Sequence, residues 1–353
     1  SKCILRADFL HCDPVEIIFN SGATEGNNTV VNSVRYYQFA TGKKPHIIST
    51  LLEHPSVSDP IKELEKYNLA EVTWIKPNRA GVVNAQKIID AIKKNTALIS
   101  VVYANHETGA IQPIRGIGKL LEKSKSQFLN PKQIQNTKYK ILNTNYPIFH
   151  SDITQAIGWE NCEPRYLHCD AVTFSGHKIH SFKGVGVLYL KTNTPIHPLI
   201  FGGNQEFGQR PGTINHIAAF TLAKAIANLK KWQKISQKVA KIKKYLEINI
   251  KKIYPNAIIL SEKTERTSHI SGVVFPKIDN QKLLINLDQQ GIAVSIGSAC
   301  LSGSFQPSKT MLAMGYSEDL ASSVIRISLS KDTTKAQIDY FIQTLKQVLS
   351  FRT

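Results

Sequence analysis

Cysteine is scarce and unpatterned in this chain. Its 353 residues include five, Cys3, Cys12, Cys162, Cys169 and Cys300, an odd set with no C-x-x-C pair. That excludes a disulfide-stapled scaffold, and Cys162 and Cys169 are too sparse for a zinc framework, so no metal is expected and a reducing cytoplasm fits best. Long apolar runs are also missing: none approaches the ~20 residues of a membrane helix. The opening stretch SKCILRADFLHCD has no signal-peptide core. A soluble, unexported, cytoplasmic protein without membrane contact is expected. Neither an internal repeat nor a low-complexity tract is present. Acidic residues are the other shortage, 26 against 44 Lys and Arg, giving a formal net charge of +18. Such an excess raises nucleic acid or an acidic partner as ligands. There is, however, no zinc-finger spacing or RNA-binding aromatic signature. Much of the excess lies on stretches such as Lys230 to Lys252, where Lys alternates with Ile, Leu and Val as on a solvated amphipathic helix.

What the chain has is the composition of an ordinary globular protein, 42% hydrophobic and 20% charged, in a length that suits one large or two medium domains. From Glu16 to Leu190 short β-rich runs alternate with helical ones. EIIF, HIIST (His46 to Thr50), EVTWI (Glu71 to Ile75), TALISVVY (Thr96 to Tyr103), PIFHSD (Pro147 to Asp152), AVTFS (Ala171 to Ser175) and GVLYL (Gly186 to Leu190) read as strands. The alternation implies parallel strands with crossover helices, and the near-continuous apolar character implies a sheet covered on both faces. Ser124 to Tyr146 is rich in Gln, Asn and Lys and reads as an inserted surface loop. A long amphipathic helical stretch from His216 to about Tyr254 follows. After it, AIIL, GVVF and SVIRISLS supply strands, with helices at Gln281 to Gln290 and Thr334 to Leu349, as in a second, smaller α+β domain.

Several short motifs sit at the ends of these strands. SGATEGNN (Ser21 to Asn28) follows a strand and opens a helix, so Ser21, Thr24 and backbone N–H groups could hold a phosphate, or simply cap the helix. No Walker lysine accompanies it. SGHK (Ser175 to Lys178) puts a lysine at a strand end, where it could form a Schiff base or stand as a solvated cation. HSDITQ (His150 to Gln155) places Asp152 and Gln155 where parallel sheets bind ligands. Asp152 there could keep a pyridine nitrogen protonated, or cap a helix. EHP (Glu53 to Pro55) could bring His54 over a ring, or His54 could be structural. SIGSACLSGS (Ser295 to Ser304) surrounds Cys300 with small residues, unlike a buried structural cysteine, and such a thiol could swing to a substrate.

Taken with NHETG and RPGT, these motifs occur in the order and spacing of cysteine desulfurases. The chain resembles the subgroup with a long SGSAC loop, within the class V aminotransferase family of fold-type I pyridoxal-phosphate enzymes. The resemblance covers almost the whole chain. It implies a doubly wound, mostly parallel α/β sheet domain over residues 1–232. A smaller C-terminal α+β domain over 233–353 would carry the cysteine loop, and the chain would assemble as a homodimer. It further implies pyridoxal 5'-phosphate held covalently by Lys178, with Asp152 on the ring nitrogen, Gln155 on the ring hydroxyl and His54 stacked on the ring. Ala23, Thr24, Ser175 and His177 match phosphate contacts, and Thr213 matches a threonine that reaches the partner subunit's cofactor phosphate. Arg326 matches the arginine that grips the substrate carboxylate, and Cys300 the nucleophile.

The implied reaction converts L-cysteine to L-alanine. Its sulfur passes as a persulfide to an iron–sulfur scaffold or a tRNA-thiolation protein. Two departures from the family pattern stand out. His106 occupies the place of a cofactor-contacting asparagine, and the chain starts after several dozen residues with which the family usually begins. The latter predicts weaker stability and cofactor binding, and together they motivate an alternative, a non-catalytic paralogue acting through its basic surface.

Overall fold

The computed structural model describes residues 9–128, 147–297 and 306–350, with side chains left out at 125–128. The chain divides into two compact units, one of Ser1–Ile75, Val83–Tyr103 and Gln112–Lys231 and the other of Lys76–Val82, Ala104–Ile111 and Trp232–Thr353.

The first unit is built on a seven-stranded sheet of β1 (Ile17–Asn20), β2 (His46–Thr50), β3 (Glu71–Ile75), β4 (Thr96–Ser100), β5 (Ile148–Asp152), β6 (Ala171–Ser175) and β7 (Gly186–Leu190). Their order is β1-β7-β6-β5-β4-β2-β3. Every residue of six of the strands is buried, and only the edge strand β3 is partly open. This is why their sequences read as apolar runs rather than alternations. Six strands run the same way and β7 runs against both neighbours, which is the mostly parallel sheet expected, with β7 its one reversed strand. The cause is the short link Gly176–Val185, a 3-10 turn at Gly176–Ile179 followed by Gly184 at φ 79°. It contains no crossover helix, and without one a chain can only return antiparallel.

The second unit holds a three-stranded antiparallel sheet, β10 (Val324–Ser328), β9 (Ile270–Val274) and β8 (Ile258–Ile259). The Trp232–Ile253 helix packs on β9 and against the Lys335–Ser350 helix. The stretch from His216 to Tyr254 is two helices, His216–Ala227 and Trp232–Ile253, joined by a 3-10 turn at Asn228–Lys231. Of the segment read as an inserted loop, the first residues continue the Ile114–Phe128 helix, and 129–146 lie outside the described residues. Among the described residues no helix is long and apolar enough to cross a membrane.

Two histidines inside this apolar sheet stitch its parallel strands together. His46 on β2 pairs Nδ1 with Thr96 on β4 at 2.9 Å and Nε2 with Thr73 on β3 at 2.8 Å. His150 on β5 pairs with Ser100 on β4 at 2.9 Å and Thr173 on β6 at 3.1 Å. A neutral imidazole offers one donor and one acceptor, and hydroxyls adapt to either, so all the ring nitrogens are satisfied without charge. Burial pushes both imidazoles down from 6.5 to about 4. A depressed histidine supplies stability above pH 6.5 that is lost as pH falls toward 4, because the unfolded chain takes up the proton first. The melting temperature is therefore expected to drop between pH 6.5 and 4, with a loss on the order of a few kcal/mol from the pair. His150→Gln, which cannot titrate, is expected to flatten the curve. Melts that are equally steep for both proteins would contradict this account.

Candidate active site

In a parallel sheet ligands gather beyond the C-terminal strand ends, and that edge of the first unit carries most of the residues singled out from sequence. β1 ends in an Asn20 turn, whose Oδ1 accepts the Gly22 N–H at 3.0 Å. The Ala23–Ser33 helix then begins with no side-chain cap, because its N-cap is Gly22. Gly22 has a φ of 151°, which residues with a side chain rarely adopt, and Gly186 on β7 packs against it, since a Cβ on Gly186 would stand 2.5 Å from Gly22 Cα. The helix lies directly on β6, since a Cβ on Gly26 would come within 2.6 Å of Thr173 Cγ2. Ala23 N donates to Ser175 Oγ at the end of β6, 2.8 Å away, so three expected phosphate contacts, Ala23, Thr24 and Ser175, meet at one helix start. Thr24 is exposed, as are His177 and Lys178 in the turn that follows Ser175.

Asp152 closes β5 and is 4% exposed. Its Oδ1 accepts the Thr154 N–H at 2.9 Å and its Oδ2 the Asn27 amide at 2.8 Å. The same Asn27 nitrogen donates to Ser56 Oγ at 2.9 Å, and Ser56 Oγ lies 2.8 Å from His54 Nδ1. His54 is the N-cap of the Pro55–Lys66 helix and accepts from the Ser56 backbone N–H. Its partial burial, with the Lys178 cation, outweighs the pull of Asp152 and keeps the imidazole below its ordinary pKa. Gln155, three residues after Asp152, is half-buried. Glu53, the residue before His54, is buried, accepts from Thr50 Oγ1 at 2.6 Å and Val102 N at 2.9 Å, and is pushed up to about 8 by burial.

Thr213 is exposed in the first unit. Nearby, Arg210 of RPGT is joined to Glu25 in the first turn of the Ala23–Ser33 helix at 2.8 Å. Burial alone would raise Glu25, but hydrogen bonds from Arg210 and Ser21 hold it below the usual carboxylate range. Of the cysteines, Cys12, Cys162 and Cys169 are buried and free. Burial pushes Cys12 up to about 12 and the other two well above 9, so none is a ready nucleophile at neutral pH. Cys3 and Cys300 lie outside the described residues.

In the second unit, Arg326 on β10 donates from Nη1 to the His106 carbonyl at 3.0 Å, and its backbone pairs with Ser295 at the start of SIGSAC. His106 is half-buried. Its neighbour Glu107 accepts from Ser308 Oγ at 2.5 Å and Thr310 Oγ1 at 2.7 Å, while a Cβ on Gly297 would meet Glu107 Oε2 at 2.2 Å. A buried carboxylate thus joins the residues on either side of 298–305. Asn27, Ser56, Glu53 and Glu107 were not singled out from sequence. All four stand inside or beside quoted motifs, but partners that give them meaning are far away in sequence, 125 positions for Asn27 and Asp152 and 201 for Glu107 and Ser308.

A mostly parallel seven-stranded sheet thus carries a lysine, an aspartate and a histidine at or just beyond the C-terminal ends of its strands. The sequence profile described as Aminotransferase class-V matches residues 6–129 and 134–341, and the chain belongs to that family. A cysteine desulfurase of Nostoc sp. is 33% identical over 344 residues, which is 97% of this chain and 80% of that protein. The cysteine desulfurase IscS of Buchnera aphidicola is 34% identical over 349 residues, 98% and 79% of the two chains. Among solved structures, a NifS-like protein superposes with a TM-score of 0.85 at 28% identity, covering 99% of this chain and 86% of that one. A structure of SspA in complex with cysteine gives 0.76 at 28%, covering 94% and 86%.

Proposed function

We propose that the protein is a pyridoxal-phosphate-dependent cysteine desulfurase, which takes sulfur from L-cysteine, releases L-alanine and carries the sulfur as a persulfide on Cys300. The observation that carries this reading is the polar chain Asp152, Asn27, Ser56, His54 at the sheet edge that also bears Lys178 and the uncapped helix start at Ala23. The residues fit the cofactor. An uncapped helix N-terminus suits a phosphate, and a carboxylate held rigidly by two donors suits a pyridinium N–H. Lys178 would hold the cofactor covalently, Asp152 its ring nitrogen, Gln155 and His106 its hydroxyl side, and Ala23, Thr24, Ser175 and His177 its phosphate. Bound there, the cofactor supplies an electron sink for charge that develops at the substrate α-carbon.

The chain's own groups do the rest. Arg326 grips the substrate carboxylate through its planar fork. Once displaced, the Lys178 amine takes the α-proton and returns one to the carbon skeleton. The Cys300 thiolate attacks the substrate sulfur, so that an S–S bond forms as the C–S bond breaks, and alanine leaves after protonation. Thr213, on an exposed stretch flanked by Phe207, Ile217 and Phe220, each more than 60% exposed, would reach the cofactor of a second copy. Apolar surface of that kind favours a homodimer. The sulfur acceptor is then an iron–sulfur scaffold or tRNA-thiolation protein, and the free thiols suit the reducing cytoplasm. Incubation of the purified chain with pyridoxal phosphate, L-cysteine and a reductant is expected to yield alanine and sulfide in equal amounts. Cofactor binding without alanine would overturn the reading in favour of a non-catalytic paralogue.

A further inference from the structure

We propose that Asn27 is a positioning residue whose single amide group orients Asp152 and, through Ser56, confines the ring proton of His54 to Nε2. The orientation of the amide follows from chemistry. A carboxylate accepts only, so the side of Asn27 facing Asp152 Oδ2 at 2.8 Å is its nitrogen, and both amide hydrogens are committed, one to Asp152 and one to Ser56 Oγ at 2.9 Å. With its oxygen accepting from Asn27, the Ser56 hydroxyl has its own hydrogen to give, and the group in reach is His54 Nδ1 at 2.8 Å. The Ser56 backbone N–H, which can only donate, reaches the same nitrogen at 3.1 Å. Two donors converge on Nδ1, so the neutral ring carries its proton on Nε2, and any proton His54 takes or gives moves there. Asn27 is 0% exposed, and its Oδ1 has no hydrogen-bond partner among the described residues. The fold therefore leaves an acceptor unsatisfied to keep both hydrogens in place, a cost a merely space-filling residue would not carry.

The inference deepens the desulfurase reading and rests on it, because His54 and Asp152 are the groups which that reading sets against the cofactor ring. Its test is read on the full chain without the cofactor, by nuclear magnetic resonance of nitrogen-labelled histidine across a pH titration. In the wild type, His54 Nδ1 is expected to resonate as an unprotonated nitrogen and Nε2 as a protonated one. Asn27→Ala frees the Ser56 hydroxyl to turn. The Ser56 backbone N–H still donates to Nδ1, so the Nε2 tautomer stays the main one, but with the hydroxyl no longer fixed as a second donor the His54 titration midpoint is expected to rise by about half to one pH unit, the size of one lost hydrogen bond. Ser56→Ala is expected to raise the midpoint similarly and decides the matter if Asn27→Ala does not fold. A protonated Nδ1 in the wild type, or a midpoint unmoved in the folded variants, would overturn the proposal. As a second readout, Asn27→Ala is expected to weaken pyridoxal-phosphate binding severalfold through a loosened Asp152. A chain that holds the Nε2 tautomer yet makes no alanine would contradict the desulfurase reading while supporting this assignment.

Discussion

Replacing Lys178 by alanine is expected to abolish the borohydride-reduced lysyl adduct of pyridoxal phosphate and to lower alanine production by at least about a thousandfold. The size follows from two losses at once. On the proposed reading the covalent anchor of the cofactor would disappear, and with it the amine that would move the α-proton, a contribution of roughly 10²–10⁴ in rate on its own. Lys178 sits in the Gly176–Ile179 turn directly after β6, and its cation is felt by His54 and by His177, whose imidazole is held low first by burial and then by Lys178. The Lys178 side chain is exposed, and the variant's melting temperature without cofactor is expected to match the wild type. Mass spectrometry of the reduced, digested protein checks the assignment. An adduct that persists on another lysine would show that the site lies elsewhere.

Asp152→Asn carries the second-largest expected effect, a loss of turnover on the order of 10²–10³-fold with a much smaller change in cofactor affinity. The isosteric amide keeps an acceptor for the Thr154 N–H or the Asn27 amide, so the fold at the end of β5 survives. What it removes is the negative charge that, on the proposed reading, would hold the cofactor's pyridine nitrogen protonated. Preorganised charge of that kind acts where charge develops in the transition state rather than in the ground state. Steady-state rates and spectrophotometric cofactor titration, measured side by side, separate the two effects. Unchanged turnover would remove Asp152 from the chemistry, and an equal loss of affinity and rate would make it a binding residue only.

Much of this arrangement was legible in the chain itself. HIIST, AVTFS and GVLYL coincide with β2, β6 and β7, because a strand buried on both faces is apolar through most of its length and is bounded by residues that break it, and EVTWI coincides with the edge strand β3 through its β-branched and aromatic residues. The reversal of β7 was not legible, since direction is set by the length of the Gly176–Val185 link and not by the strand's own residues. The break at Asn228–Lys231 was hidden for a different reason: the helical apolar period runs through it undisturbed. The two sheet histidines look polar in sequence, and only the facing Thr73, Thr96, Ser100 and Thr173 hydroxyls explain how they are buried.

At the site, Lys178, Asp152 and His54 stood out because their motifs end strands, where chemistry concentrates. Asn27 and Glu107 did not, for each draws its role from partners brought close only by the fold, Asp152 for the first and Ser308 and Thr310 for the second. A residue that acts by holding another leaves no local signature.

The central claim is that this family member moves sulfur from L-cysteine to its own Cys300. The most direct measurement is a single turnover of the cofactor-loaded chain with L-cysteine labelled in its sulfur and no reductant, followed by alkylation, digestion and mass spectrometry. The account predicts one labelled sulfur atom on the peptide containing Cys300 for each alanine formed, and none on the peptides containing Cys12, Cys162 or Cys169. Label on one of those buried cysteines, or alanine formed with no label retained by the protein, would contradict it.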